Sequence, residues 1–214
     1  MPKDLVIVGA GGFGRETADI VEAINAAAAQ PVWRLLGLVD DALSADNEER
    51  LVRRGLRHLG SADELISGDQ RPHYVVGIGS PAARRRVAGR LDAAGFPAAT
   101  LVHPQATLGS EVTIGDGSVV CAGVRVTTNV QLGRHVHLNP NATIGHDTTL
   151  EDFVSMNPAS SVSGDCVIET GSLVGVGAVV LNRLRLGAGA VVGGSACVVK
   201  NVASGTVVKG VPAK

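Results

Sequence analysis

A six-residue repeat runs through residues 108–150, which read LGSEVTIGDGSVVCAGVRVTTNVQLGRHVHLNPNATIGHDTTL. Every sixth residue from Leu108 onward is apolar, and this register continues without a break to Val198. All sixteen positions hold an aliphatic residue or Met, a result that chance would give on the order of once in ten thousand sequences or more rarely. Glycine follows the repeating residue in seven of the sixteen hexads.

Hexapeptide repeats predict a parallel β-helix in which each hexad forms one short strand and a turn. The repeating side chain points into the coil and stacks on its equivalents above and below. We expect the glycine that follows it to adopt the positive φ of a tight turn. Three hexads close one triangular coil, so residues 106–201 give about five coils. No hexad carries an insertion, so a lateral partner must complete any deep site.

The first half of the chain follows a different pattern, in which strands alternate with helices. Residues 1–105 hold 12 basic and 13 acidic side chains, whereas residues 106–214 hold 7 and 7, and such a shift marks a domain boundary. Strands are expected at 5–8, 34–39, 74–78 and 99–102, with helices over about 13–28 and 82–94. We therefore predict an α/β Rossmann-like domain over 1–105 and an all-β domain with a C-terminal tail over 106–214.

Composition excludes several other classes of protein. The chain has 214 residues, a net charge of −1 and only five aromatic residues, whereas nucleic-acid binders usually carry a basic face with stacking aromatics. Three widely spaced cysteines predict neither a disulfide framework nor a cysteine-rich zinc site. No segment reaches the ~18 apolar residues of a membrane span, and no signal peptide opens the chain. These features predict a soluble, cytoplasmic protein without nucleic-acid or membrane partners.

A glycine-rich loop, Gly9-Ala-Gly-Gly-Phe-Gly14, follows the first strand and opens the first helix. It formally matches the GxGxxG fingerprint of dinucleotide-binding proteins. However, Asp40 lies farther beyond Gly14 than the usual ribose-binding acid does, and the domain lacks a second mononucleotide half. We therefore interpret the loop as a phosphate site for a nucleotide-linked sugar rather than for NAD. A tight turn without a ligand is the alternative.

The strongest candidate for chemistry is Ile144-Gly145-His146-Asp147. His146 lies two residues after the inward Ile144, so its side chain can project from a turn. A neutral imidazole accepts a proton near pH 7, and a neighbouring carboxylate can orient the ring. The alternative is an ordinary surface histidine. The basic run Arg84-Arg85-Arg86 is expected on a solvated helix face.

Motifs in both halves point to one family: Gly9–Gly14, Val39-Asp40-Asp41, Ile78-Gly79, Val102-His103-Pro104, the hexads, and the closing Gly210-Val-Pro-Ala-Lys214. On these residues the chain resembles the bacterial sugar-nucleotide acetyltransferases of the hexapeptide-repeat superfamily. That group includes the sialic-acid O-acetyltransferase-like and bacillosamine-type N-acetyltransferases. The resemblance implies a left-handed β-helix, a homotrimer with active sites between subunits, acetyl-CoA as co-substrate and no metal.

The resemblance also implies roles for individual residues. It makes His146 the general base and Asp147 the carboxylate that orients it. The nucleotide-linked sugar is then expected at Asn139, Gly11, Gly12, Phe13, Asp40, Asp41, Gly79 and Ser80, and acetyl-CoA at Ser155, Gly164, Val176, Gly194 and Lys209. Two positions depart from the family pattern: Gly145 stands where an Asn is common, and Ser155 where a second His is common.

The sequence thus predicts an acetyl-CoA-dependent N-acetyltransferase that acts by direct transfer on an amino group of a nucleotide-linked amino sugar. One alternative is O-acetyl transfer to a sugar or sialic-acid hydroxyl. Another is a non-catalytic protein that binds a nucleotide sugar or supports a biosynthetic partner. A metal site like that of the γ-class carbonic anhydrases is a third, but the spacing of His135, His137 and His146 fits it poorly.

Overall fold

Parallel strands form the sheets of both halves of the chain. The computed structural model describes residues 1–214, and its contacts divide the chain into two units, Met1–Leu101 and Val102–Lys214. None of its four helices combines the length and the apolar character that a membrane crossing requires.

Unit 1 is a three-stranded parallel sheet with helices between its strands. The strands are β1 (Lys3–Val8), β2 (Trp33–Val39) and β3 (His73–Val76), in the order β2-β1-β3, and the helices are α1 (Gly12–Ala27), α2 (Ala45–Arg53), α3 (Ala62–Ser67) and α4 (Pro81–Ala93). Leu5, Ile7 and Leu38 are fully buried in its core. Because all three strands run in one direction, their carboxyl ends meet at a single edge of the sheet.

Two helices of unit 1 were not expected from the sequence. Helix α2 buries only Leu51, so it shows little of the apolar periodicity that predicts a helix. The sequence feature that marks the start of α2 is an N-cap, since the Ser44 hydroxyl accepts a hydrogen bond from the Asn47 N–H. Helix α3 begins with a complete capping box between Ser61 and Glu64.

Unit 2 is a parallel β-helix whose two-residue strands stack into three faces. Face I holds β4 (Leu101–Val102), β7 (Val119–Val120), β10 (His137–Leu138), β13 (Ser155–Met156), β16 (Leu173–Val174), β19 (Val191–Val192) and β21 (Val207–Val208). Face II holds β5 (Thr107–Leu108), β8 (Arg125–Val126), β11 (Thr143–Ile144), β14 (Ser161–Val162), β17 (Val179–Val180) and β20 (Cys197–Val198). Face III holds β6 (Thr113–Ile114), β9 (Gln131–Leu132), β12 (Thr149–Leu150), β15 (Val167–Ile168) and β18 (Arg185–Leu186).

The hexad residues form the core of unit 2, as predicted. The strands up to β20 pair with one another in register at a spacing of three hexads, so that Leu138 lies beside Met156 and Ile144 beside Val162. The last pair departs from this spacing, because Val191 of β19 lies beside Val207 of β21. The repeating residues are buried from Val120 onward, whereas Leu108 in the first coil is 40% exposed. The strand expected at 99–102 is β4, and it belongs to face I rather than to the sheet of unit 1.

The sequence predicted a positive φ for the glycine directly after the inward residue, and this prediction was wrong. Positive φ values occur three residues after the inward residue, and non-glycine residues such as Asn129 (φ 54°) and Asp147 (φ 58°) hold many of them. The glycine directly after the inward residue is needed for a different reason. A Cβ on Gly145 would lie 2.5 Å from the backbone nitrogen of Gly164, so the stacking of neighbouring coils leaves no room for a side chain.

Candidate active site

His146 and Asp147 lie in the turn between faces II and III and form a hydrogen-bonded pair. The His146 Nδ1 is 2.6 Å from Asp147 Oδ2. An ionised carboxylate only accepts hydrogen bonds, so Nδ1 carries the ring proton and Nε2 keeps the lone pair that a general base needs. The His146 side chain is 63% exposed, so a substrate can approach it from solvent.

Asn129 is a third member of this arrangement and was missed in the sequence. Its Nδ2 donates a 2.7 Å hydrogen bond to Asp147 Oδ1. This bond, together with the bond to His146, holds the pKa of Asp147 below its usual value. The carboxylate therefore stays ionised through the neutral range. The sequence spacing indicates this contact, because Asn129 precedes Asp147 by three hexads and three hexads form one coil.

Gly164 provides the space in which the His146 ring lies. A Cβ on Gly164 would lie 2.5 Å from His146 Nε2 and 2.6 Å from Cε1. Gly164 follows Val162 at the same corner, one coil beyond His146. The lack of a side chain at Gly164 therefore allows the imidazole to lie in this position.

We expect Gly164→Ala to displace the imidazole while leaving the fold intact, because an exposed side chain can rotate away from the new methyl group. A misplacement of about 1 Å costs on the order of 10²-fold in rate, so kcat should fall by about that factor. Steady-state kinetics and thermal unfolding check the prediction together. A normal kcat in the folded variant would contradict the importance of this contact.

The predicted acetyl-CoA and sugar residues of unit 2 do not all lie beside His146 within one chain. Gly164 shares its corner, whereas the others follow or form strands of face I: Asn139, Val176, Gly194 and Lys209 after β10, β16, β19 and β21, and Ser155 in β13. The width of face II separates the two corners. Val176 is 55% exposed, Ser155 is buried, and the Asn139 amide donates to the Met156 carbonyl at 2.9 Å.

In unit 1 the predicted nucleotide residues gather at the carboxyl edge of the sheet. Ala10 N–H donates to Asp40 Oδ2 at 2.7 Å, and Ala42 N–H donates to Oδ1 at 2.9 Å. The Asp40 carboxylate therefore ties the glycine loop to the end of β2. A Cβ on Gly11 or Gly12 would have no neighbouring atom within 4 Å, so this side of the loop has room for a ligand. Phe13 is half-buried.

Asp41, Gly79 and Ser80 reach the same edge and have structural partners there. Asp41 Oδ1 accepts from the Ala62 N–H at 2.7 Å, at the start of α3. The Ser80 hydroxyl caps α4. These contacts place both residues at the edge of the sheet.

Arg84 was predicted to lie on a solvated helix face, and this prediction was wrong. Its side chain is fully buried, and its guanidinium donates to the carbonyl oxygens of Ile78 at 2.9 Å and Gly79 at 3.3 Å. Burial lowers the pKa of Arg84 to about 9. The side chain thereby anchors the loop that follows β3.

We expect Asp40→Ala to weaken binding of a nucleotide ligand, because the glycine loop loses a charge-assisted hydrogen bond. Such bonds contribute about 1.5–3 kcal/mol, so the KM for a nucleotide-linked substrate should rise by about 10-fold or more. The KM for a ligand of unit 2 should stay constant. Asp46→Ala, in the exposed first turn of α2, is the matched control. Equal effects of the two substitutions would contradict the role assigned to Asp40.

The histidines considered as metal ligands do not form a cluster. His135 and His137 are buried, and the His135 ring stacks on Phe153 with centroids 5.1 Å apart. No group of three or more His, Cys, Asp or Glu side chains in the chain is arranged to hold a metal ion.

Comparisons with known proteins match both units. The family model of the PglD N-terminal domain matches residues 4–91. GDP-perosamine N-acetyltransferase of Escherichia coli O157:H7 is 31% identical over 174 residues, which are 81% of this chain and 76% of the relative.

Solved structures match along the whole chain. PerB from Caulobacter crescentus, in complex with CoA and GDP-perosamine, is 26% identical with a TM-score of 0.85, covering 99% of this chain and 96% of that one. The acetyltransferase domain of PglB from Neisseria gonorrhoeae FA1090, in complex with acetyl coenzyme A, is 27% identical with a TM-score of 0.83, covering 100% and 99%.

These matches confirm the predicted fold class, an α/β Rossmann-like region followed by a left-handed parallel β-helix of hexapeptide repeats. The identity to the E. coli enzyme extends over most of both proteins. The chain therefore belongs to the sugar N-acetyltransferases of the hexapeptide-repeat superfamily.

Proposed function

We propose that this protein transfers the acetyl group of acetyl-CoA to an amino group of a nucleotide-linked amino sugar. The observation that carries the proposal is the exposed His146–Asp147 pair, whose Nε2 keeps its lone pair at a corner of the β-helix. Two relatives support the choice of substrates: the E. coli relative is named a GDP-perosamine N-acetyltransferase, and PerB is described with CoA and GDP-perosamine bound.

In the proposed reaction the sugar amine attacks the carbonyl carbon of the thioester directly. His146 Nε2 takes one proton from the amine as the C–N bond forms, and Asp147 stabilises the resulting imidazolium. The tetrahedral intermediate then collapses, the C–S bond breaks, and the thiolate of CoA leaves and takes up the proton. A backbone N–H at Gly164 is our candidate donor for the oxyanion of this intermediate.

We propose that each half of the chain binds a different substrate. Residues 1–105 would hold the nucleotide, with the backbone of Gly11, Gly12 and Phe13 facing its phosphates and the edge residues Asp40, Asp41, Gly79 and Ser80 around it. Residues 106–214 would hold acetyl-CoA and perform the transfer. The open space at Gly11 and Gly12 and the start of α1 beside them suit a phosphate group.

We further propose that the working form is a homotrimer with its active sites between subunits. Within one chain His146 and Gly164 lie at one corner, whereas Asn139, Val176, Gly194 and Lys209 follow the strands of face I. A neighbouring β-helix that packs side by side can bring the second set against the first. Acetyl-CoA would then lie in the groove between two β-helices, with Ser155 as a further candidate contact.

We also propose that the protein works in the cytoplasm. All three cysteines, Cys121, Cys166 and Cys197, are free thiols. Free thiols are typical of proteins in a reducing compartment.

CoA release from acetyl-CoA, measured with a panel of nucleotide-linked 3-amino and 4-amino sugars, tests the proposed function. For each amino sugar the matched sugar with a hydroxyl at the same carbon serves as the control. We expect turnover with at least one amino sugar and none with its hydroxyl partner. Turnover only with hydroxyl sugars would replace the proposal by O-acetylation, and acetyl-CoA binding without any turnover would replace it by a binding role.

A further inference from the structure

We infer that Asn129 is a positioning residue for the His146–Asp147 pair, so that the working unit is a chain of three side chains: Asn129, Asp147 and His146. The inference rests on the proposed function, in which His146 is the general base. Asn129 and Asp147 occupy equivalent turns of successive coils at the corner between faces II and III. The bonds that link the three side chains are 2.7 Å and 2.6 Å long.

The backbone holds the two turns in a fixed relation. Asp147 N–H donates to the Thr128 carbonyl at 3.2 Å, which ties each turn to the one before it. Asn129 and Asp147 both have φ values in the left-handed region, at 54° and 58°. Asn and Asp tolerate this conformation better than other residues with a side chain. The same backbone geometry therefore aims both short side chains in one direction.

The two oxygen atoms of Asp147 then have separate partners. The Asn129 amide nitrogen can only donate, so it holds Oδ1, and Oδ2 remains to accept from the His146 Nδ1–H. The Asp147 side chain is 49% exposed, so packing alone does not restrain its rotation. Without Asn129 the carboxylate would sample other orientations, and His146 would spend part of its time in the tautomer that carries the proton on Nε2. That tautomer cannot accept a proton at Nε2, the atom that the proposed reaction uses.

Asn129→Gly tests this inference with little backbone strain, because glycine accepts a positive φ readily. We expect kcat to fall about 10-fold, the loss of one hydrogen bond to a charged group, while both KM values stay within about twofold. Glu111→Gly is the matched control, since Glu111 occupies the same turn position one coil earlier with a φ of 57°. It should leave kcat unchanged.

A double-mutant cycle separates positioning from a general effect on the coil. In an Asp147→Gly background, Asn129 has no carboxylate to hold, so Asn129→Gly should cause no further loss of kcat. A structural role would reduce activity by the same factor in both backgrounds. Equal losses in the two backgrounds would overturn the inference.

A measurement on the free protein distinguishes failure of this inference from failure of the proposed function. In ¹⁵N-histidine NMR spectra, with His146 assigned by its loss in His146→Asn, we expect the Nδ1–H tautomer in the wild type and a mixture of tautomers in Asn129→Gly. Unchanged tautomers would overturn the role of Asn129 whether or not an acceptor sugar is found. A changed tautomer in a protein that acetylates no amino sugar would support the positioning role and reject the proposed reaction.

Discussion

His146→Ala is expected to lower kcat by about 10³-fold while the protein keeps its fold. A positioned general base contributes about 10²–10⁴-fold to a rate, and the proposed base is the imidazole of His146. The substitution should not disturb packing, because the His146 side chain is 63% exposed at a corner of the β-helix. Steady-state CoA release and thermal unfolding of the same preparation measure both expectations.

The matched control for His146→Ala is Asn182→Ala. Asn182 follows Val180 by two residues, as His146 follows Ile144, and it is exposed at the same corner two coils later. It should lose neither stability nor turnover. Near-normal turnover in His146→Ala would show that another group removes the proton from the amine, and it would remove the main support for the proposed mechanism.

Gly14→Ala is expected to have the largest effect on stability. A Cβ at this position would overlap the carbonyl oxygen of Gly9, because the first turn of α1 packs directly on the glycine loop. The oxygen belongs to the backbone, and the backbone of residue 14 fixes the position of the Cβ, so no side-chain rotation relieves the clash. Gly77 packs on the other side, where its own Cβ would lie 2.6 Å from the Gly14 Cα. Overpacking of this kind costs about 3 kcal/mol or more.

Thermal unfolding measures this effect directly. For a unit of about 100 residues, a loss of about 3 kcal/mol lowers Tm by roughly 10–20 °C, and binding of a nucleotide-linked substrate should be lost with it. Gly12→Ala is the control for stability, because nothing lies within 4 Å of the new Cβ and the position is already helical. Similar Tm values for the two variants would contradict the packing described for the loop.

The β-helix was predictable because each of its contacts repeats. One apolar residue in every six defines each strand, and a constant repeat length defines the register, so Ile144 and Val162 are paired as soon as the period is known. The location of the positive φ values was not predictable from glycine alone. Asn129 and Asp147 adopt the turn conformation, while Gly145 is required by the approach of the next coil.

The candidate site was predictable where neighbours in sequence interact and less so where distant residues meet. His146 and Asp147 are adjacent, so their pairing follows from local sequence. Asn129 is linked to them across one coil, and only the known repeat of three hexads per coil would have indicated it. Arg84 was assigned to a solvated face because the two carbonyl groups that stabilise its burial belong to a loop whose course the sequence did not reveal.

If an acetyl group moves from a thioester to a sugar nitrogen, the covalent structure of the product shows it. Wild-type protein would be incubated with acetyl-CoA and the nucleotide-linked amino sugar that turns over fastest, and the product would be analysed by mass spectrometry and NMR. We expect one added acetyl group, joined as an amide at the former amine. An ester on a sugar hydroxyl, or an unmodified sugar beside hydrolysed acetyl-CoA, would contradict it.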